Sequence, residues 1–183
     1  MKQLKVIGIC GSLRKQSTNM GLLRYAKANA PNGMKIEVAD LLSVPFYNLD
    51  ITEKPAPVQT LLKQIEEADA LLLACPEYNY SIAPALKNAL DWASREPDNR
   101  ILSGKPAAIM GAGGGMGTSR AQYHLRQVGV FLNLHILNRP EVFSNAFTGS
   151  FDNDGNLIDG EIKELITQQL SALQKWTERI LSK

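Results

Sequence analysis

Cysteine, histidine and long apolar runs are all scarce in this chain of 183 residues. Its two cysteines, Cys10 and Cys75, lie far apart and neither belongs to a CxxC pair. That usage argues against a zinc site and a secreted disulfide framework, and fits a reducing compartment, so the expected location is the cytoplasm. The two histidines, His124 and His135, read as structural, and no metal site is expected. No run reaches the ~20 apolar residues of a membrane span. The apolar stretch near the N-terminus is short, is broken by glycine and runs into Arg14 and Lys15 where a signal peptide needs small residues. No charge sign dominates either. Lys plus Arg number 20 against 18 Asp plus Glu, net +2, with no basic block, which excludes a nucleic-acid binder. Repeats, low-complexity tracts and linkers are missing too, so residues 1–183 read as one domain.

What is present is alternation. Residues 4–10 are rich in β-formers and end at Gly11; residues 19–30 carry Leu22, Leu23, Ala26 and Ala30 at helical spacing. Residues 35–39 alternate apolar and charged, the pattern of a strand wetted on one face at a sheet edge. A proline-containing connection (41–57) leads to a helix over 58–68. Residues 70–75 (ALLLAC) are apolar throughout, as a central strand covered on both faces must be. A helix over 84–94, a strand over 106–110, a helix over 118–129, a strand over 134–138 and a long helix over 160–181 complete the chain. This (βα)5 order implies α/β architecture, a parallel sheet with helices on both faces. The segment 144–160 reads as a long loop. Its DNDG (152–155) mimics a calcium loop, but glycine stands fourth rather than sixth, so it reads as a turn.

In such a sheet, ligands bind beyond the carboxyl ends of the strands, where strand order reverses. The loops after the first, third and fourth strands are the three most unusual stretches of the chain. The first, 11–19, supplies Gly11 for a tight exit, short donors in Ser12, Ser17, Thr18 and Asn19, and cations in Arg14 and Lys15, all before a helix N-terminus. One such residue would be a plain helix cap; four with two cations point to a phosphate monoester. GxGxxG is missing from this turn, which removes a dinucleotide fingerprint. A phosphatase would place a cysteine here and an arginine six residues on. Cys10 fits, but position 16 is Gln16 and Arg14 comes too early, so Cys10 reads as a small buried hydrophobe.

The second stretch, 75–81, joins Pro76, Glu77, Tyr78, Asn79 and Tyr80. It suits the wall of a flat heteroaromatic ligand, and equally a turn whose tyrosines pack on the next helix. The third, 111–118, holds five glycines in seven residues. That composition costs backbone entropy but lets a ligand approach the main chain closely.

The segments GSLRKQSTN (11–19), PEYNYS (76–81) and LKNALDW (86–92) resemble the NAD(P)H-dependent FMN reductase family, particularly its quinone and chromate reductase branch. The resemblance implies a flavodoxin-like three-layer sandwich with a five-stranded parallel sheet in the order 2-1-3-4-5. It implies FMN as cofactor and NADPH or NADH as co-substrate, with two-electron reduction of quinones, chromate, azo or nitro compounds. Gly11, Ser12, Arg14, Ser17, Thr18 and Asn19 would surround the FMN phosphate. Pro76, Glu77, Tyr78 and Asn79 would line the ring system, largely through main-chain atoms, and Ala112, Gly113 and Gly114 would approach its pyrimidine side. Relatives often carry serines in this third loop, and here there are none. No catalytic side chain is implied. Family members are usually dimers or tetramers, and Arg120, Tyr123 and Glu141 match positions of an intersubunit polar network in close relatives. The competing reading is a flavodoxin-type electron carrier; such carriers are usually strongly acidic, and a net charge of +2 is not.

Overall fold

Strand β1 (Leu4–Cys10) lies between β2 (Met34–Val38) and β3 (Ala70–Ala74) and runs parallel to both in the computed structural model, which describes residues 3–182. Beyond β3 comes β6 (Pro106–Gly113), also parallel. Two more short strands follow on its far side, β7 (His135–Ile136) and β8 (Val142–Asn145). The order is thus β2-β1-β3-β6 and then β7 with β8, a flavodoxin-like arrangement in the expected 2-1-3-4-5 sense.

Alternation along the strands sorts side chains into two cores. Ile7, Ile9, Leu71, Leu73, Ala107 and Ile109 face helices α2 (Ala56–Glu67), α3 (Pro84–Ala93) and α4 (Ser119–Phe131). Val6, Cys10, Leu72, Ala74, Ala108 and Met110 face α1 (Thr18–Ala28) and α5 (Gly160–Leu181). Strand β3 is buried along its whole length, while β2 alternates buried and exposed residues at the sheet edge.

Three details depart from expectation. The fifth strand is not one piece over 134–138. It splits around residues 138–141, so β7 pairs only with Pro106 and Ala107, and β8 only with Met110–Gly113. The gap leaves the Ile109 carbonyl without a strand partner, and the buried Gln169 of α5 fills it, donating from Nε2 to Ile109 O and Pro140 O at 2.9 Å each. That is why a polar residue sits inside an apolar helical stripe. Strand β6 also runs past 110 through Gly113, because β8 extends the ladder beneath the first half of the glycine stretch. Finally, the segment after β3 is a hairpin of β4 (Glu77–Tyr78) and β5 (Ser81–Ile82). Its two-residue corner, Asn79 and Tyr80, has φ of 50° and 67°, both in the left-handed region that primed hairpin turns require.

Candidate functional site

The loops leaving β1, β3 and β6 converge on a cleft of about 500 Å³. Of the residues expected there, Ser12, Arg14, Ser17, Thr18, Asn19, Pro76, Glu77, Tyr78, Ala112, Gly113 and Gly114 line it. Gly11 and Asn79 do not. Gly11 lines a neighbouring apolar hollow instead, and an added Cβ would meet Pro76 Cδ at 2.8 Å and Leu86 Cβ at 3.0 Å, so glycine is needed for packing. Asn79 occupies the hairpin corner.

The turn after β1 is polar and under-occupied. Ser17 is the N-cap of α1, its hydroxyl oxygen accepting from Met20 N–H at 3.1 Å while the same hydroxyl lies against the Cys10 thiol. The amides of Thr18 and Asn19 open the helix and have no main-chain partner among the described residues. The Arg14 guanidinium has no carboxylate within reach among the described residues, and the Thr18 hydroxyl has no partner there either. Free amides, a free hydroxyl and a free guanidinium at the positive end of a helix make an anion cradle.

Asn19 behaves differently. Its carboxamide donates from Nδ2 to Ala112 O at 2.7 Å and accepts from Ala112 N–H at 3.0 Å. The side chain expected at a phosphate is spent on the glycine stretch instead.

Glycines in that stretch divide into two kinds. A Cβ on Gly111 would lie 2.1 Å from Thr118 Oγ1 and 2.5 Å from Cys75 O, so it is glycine because protein packs against it. Gly114 and Gly115 meet nothing within 4 Å, and their amides carry no main-chain bond among the described residues. Their backbone faces open space, as close approach of a flat ligand would require.

The hairpin supplies a further wall. Glu77 pairs with Arg120, and its Oε2 accepts from Ala121 N–H at 3.3 Å, so its carboxylate is fixed at the start of α4. That leaves main-chain atoms to face the cleft. Arg120 also stacks on Tyr80, 3.7 Å from the ring centroid. Tyr78 lines both the cleft and a neighbouring apolar hollow of about 580 Å³.

Two parts of the site escaped sequence reading. The loop 146–155 closes the cleft with Phe147, Phe151, Asp152 and Asn153. Arg24 of α1 pins it, donating to Asn156 Oδ1 at 2.8 Å and Asp154 O at 3.2 Å. The DNDG turn was legible but its docking was not, because a contact across about 130 residues leaves no local pattern. The apolar hollow is lined by Leu13, Leu41, Leu42, Val44 and Phe46 beside Arg14 and Tyr78. Asn88 and Trp92 of α3 hold its rim, donating to Pro45 O at 2.9 and 2.8 Å, while Asn88 Oδ1 accepts from Tyr47 N–H at 2.7 Å. The rim is therefore tethered on both sides of Phe46, which stays exposed.

Neither cysteine is a nucleophile here. Burial pushes the Cys10 thiol up, and burial together with the nearby Glu77 and Cys10 pushes Cys75 up to about 12. Among the described residues no group of acidic, histidine and cysteine side chains could hold a metal ion, and no helix is long and apolar enough to cross a membrane.

Residues 4–149 match the family model for NADPH-dependent FMN reductase. The chain is 53% identical over 180 residues to an NAD(P)H-dependent FMN reductase of Pseudomonas aeruginosa, covering 97% of each chain. It is 51% identical to an NAD(P)H:quinone oxidoreductase of Solanum tuberosum, covering 93% of this chain and 91% of the other. Among solved structures, a flavoenzyme NAD(P)H:(acceptor) oxidoreductase from Paracoccus denitrificans superposes with a TM-score of 0.86 at 30% identity, over 96% of this chain and 98% of that one.

Proposed function

The chain belongs to the NADPH-dependent FMN reductase family, and from that membership we propose that it is an FMN-dependent NAD(P)H oxidoreductase transferring two electrons to quinones and similar small acceptors. One observation carries the site assignment: the turn after β1 with its free guanidinium and amides, a tyrosine hairpin and the open glycine Gly114 converge on one cleft at the point where strand order reverses. Ser12, Arg14, Ser17 and Thr18, with the amides of Thr18 and Asn19, would hold the phosphate of FMN. The main chain of Pro76 to Tyr78 and the glycine stretch Ala112 to Gly114 would hold its ring. FMN, once bound, supplies the hydride acceptance and electron storage that no side chain offers. The residues of the chain do the rest. Arg14 neutralises a dianion, the free amide of Gly114 offers a positive dipole to any negative charge that accumulates near it, and Tyr78 with the apolar hollow gives a flat substrate an apolar surface beside the cleft. No side chain is given an acid or base role.

The acceptor class follows from that hollow. It borders the cleft through Arg14 and Tyr78 and is otherwise apolar, since Asn88 spends its carboxamide on Pro45 and Tyr47. A flat, weakly polar quinone suits it better than a charged metabolite. We also propose that the chain works as a homo-oligomer. Arg120 and Glu141 already have partners within the chain, Glu77 and Arg126, so their part in a subunit contact would be shared; Tyr123 is exposed.

The test is direct. Purified protein should be yellow with one FMN per chain, should bleach on anaerobic addition of NADPH or NADH, and should turn over a soluble quinone. Replacing Arg14 and Ser17 together by alanine should strip most of the FMN while far-UV circular dichroism holds. A colourless protein that ignores added FMN would defeat the function, and full flavin content in the double variant would defeat the phosphate turn.

A further inference from the structure

Asn19 sits in the first turn of α1 and is buried, 4% exposed. Both polar atoms of its carboxamide bind one residue, Ala112, which lies 93 positions away in β6. Their geometry explains the residue type. Met110 O accepts from Cys75 N–H, so that side of β6 faces β3. Ala112, two residues on, presents its N–H and C=O toward the same side. By then β3 has ended at Ala74 and the chain has turned away into the hairpin. The Asn19 carboxamide takes the place of the missing strand, giving one donor and one acceptor as a peptide group would. An amide side chain carries that donor and that acceptor on separate atoms of one planar group, as a peptide bond does.

We infer that Asn19 is a positioning residue, not a phosphate ligand: its side chain ties the turn after β1 to the glycine stretch after β6 and so sets the spacing between the phosphate grip and the ring contacts. The inference rests on the FMN reading above. The free amides of Thr18 and Asn19 belong to one side of this tie, and those of Gly114 and Gly115 begin two residues beyond Ala112 on the other. One side chain therefore couples two groups of unpaired amides that are remote in sequence.

The test compares FMN with riboflavin, which lacks the phosphate, by fluorescence titration of flavin-free protein. Arg14→Ala should weaken FMN binding and leave riboflavin unchanged. Asn19→Ala should weaken both, each by about tenfold, the scale of one lost charge-neutral tie. The FMN that stays bound in Asn19→Ala should show a more negative midpoint potential, because the Gly114 amide no longer sits where negative charge accumulates. Asn19→Gln, which keeps both polar groups one methylene further out, serves if the alanine variant does not fold, with the same expectations. Loss of FMN affinity alone would make Asn19 a direct phosphate ligand and overturn the inference. Unchanged affinity for both flavins would overturn it too, and so would weaker binding at an unchanged potential, which marks a merely structural role. Wild-type protein that binds neither flavin would instead overturn the FMN reading, and this inference would fall with it.

Discussion

Asp159 shows what one carboxylate does for a helix. It is the N-cap of α5; Oδ1 accepts from Glu161 N–H at 2.9 Å and Ile162 N–H at 3.2 Å, and the Ser150 hydroxyl donates to Oδ2 at 2.9 Å. The Ile162 amide above all, then Ser150, hold its carboxyl below the usual carboxylate range. The sign follows. A carboxyl depressed on folding adds stability above its unfolded pKa of about 4, and that stability is lost as pH falls through the lower folded value. Asp159→Ala should therefore cost about 1 kcal/mol near pH 7, the usual worth of a cap. The difference from wild type should shrink below about pH 4. Urea unfolding at pH 7 and pH 3 checks both statements; an equal deficit at the two pH values would contradict them. Sequence alone marks Asp159 only as an acid before a glycine, and the partner Ser150 comes from a loop whose path no local pattern reveals.

At the scale of elements, the glycine stretch is one sequence feature with two physical causes. Its beginning is strand, paired with β8, and there Gly111 leaves room for Thr118 and the Cys75 carbonyl. Its middle is open. Gly111→Ala should destabilise the protein by about 1–3 kcal/mol through overpacking. Gly114→Ala should leave the melting temperature nearly unchanged while weakening FMN binding, since its Cβ would enter space the protein leaves empty. Thermal melts of the flavin-free variants, followed by flavin titration, separate the two. Equal destabilisation would show that the loop is glycine-rich for folding alone. Composition could identify this stretch as a place of close approach; it could not say which glycine answers to protein and which to ligand. The split fifth strand is a similar case. Residues 134–138 look like a strand, and whether the ladder continues depends on what lies beside it.

For the molecule as a whole, one exposed apolar surface lies on α4. Tyr123, Val130 and Phe131 are exposed, Val130 by 81% and Phe131 by 76%. Large apolar side chains this open, on a helix whose inner face is already packed, are costly unless something covers them. With Tyr123 they make α4 the expected subunit contact. Replacing Val130 and Phe131 together by aspartate should lower the mass seen by sedimentation velocity to that of the monomer. A wild type that sediments at 20.1 kDa would end the proposal of an oligomer.

Local chemistry is enough to recognise much of this protein. Short apolar runs bounded by turn residues mark central strands, and donors clustered before a helix mark a cap or an anion site. The parallel sheet and the three site-forming loops were therefore readable from the chain, while the strand order came only from the family resemblance. Arrangements that depend on distant segments were not. Asn19 meeting Ala112, Glu77 capping α4, Gln169 filling the strand gap and the 146–155 loop closing the cleft each join residues 29 to more than 120 positions apart. A polar side chain looks the same in sequence whether it faces a ligand or a buried carbonyl. Only packing, by leaving one backbone group unpaired and another exposed, settles which of the two it serves.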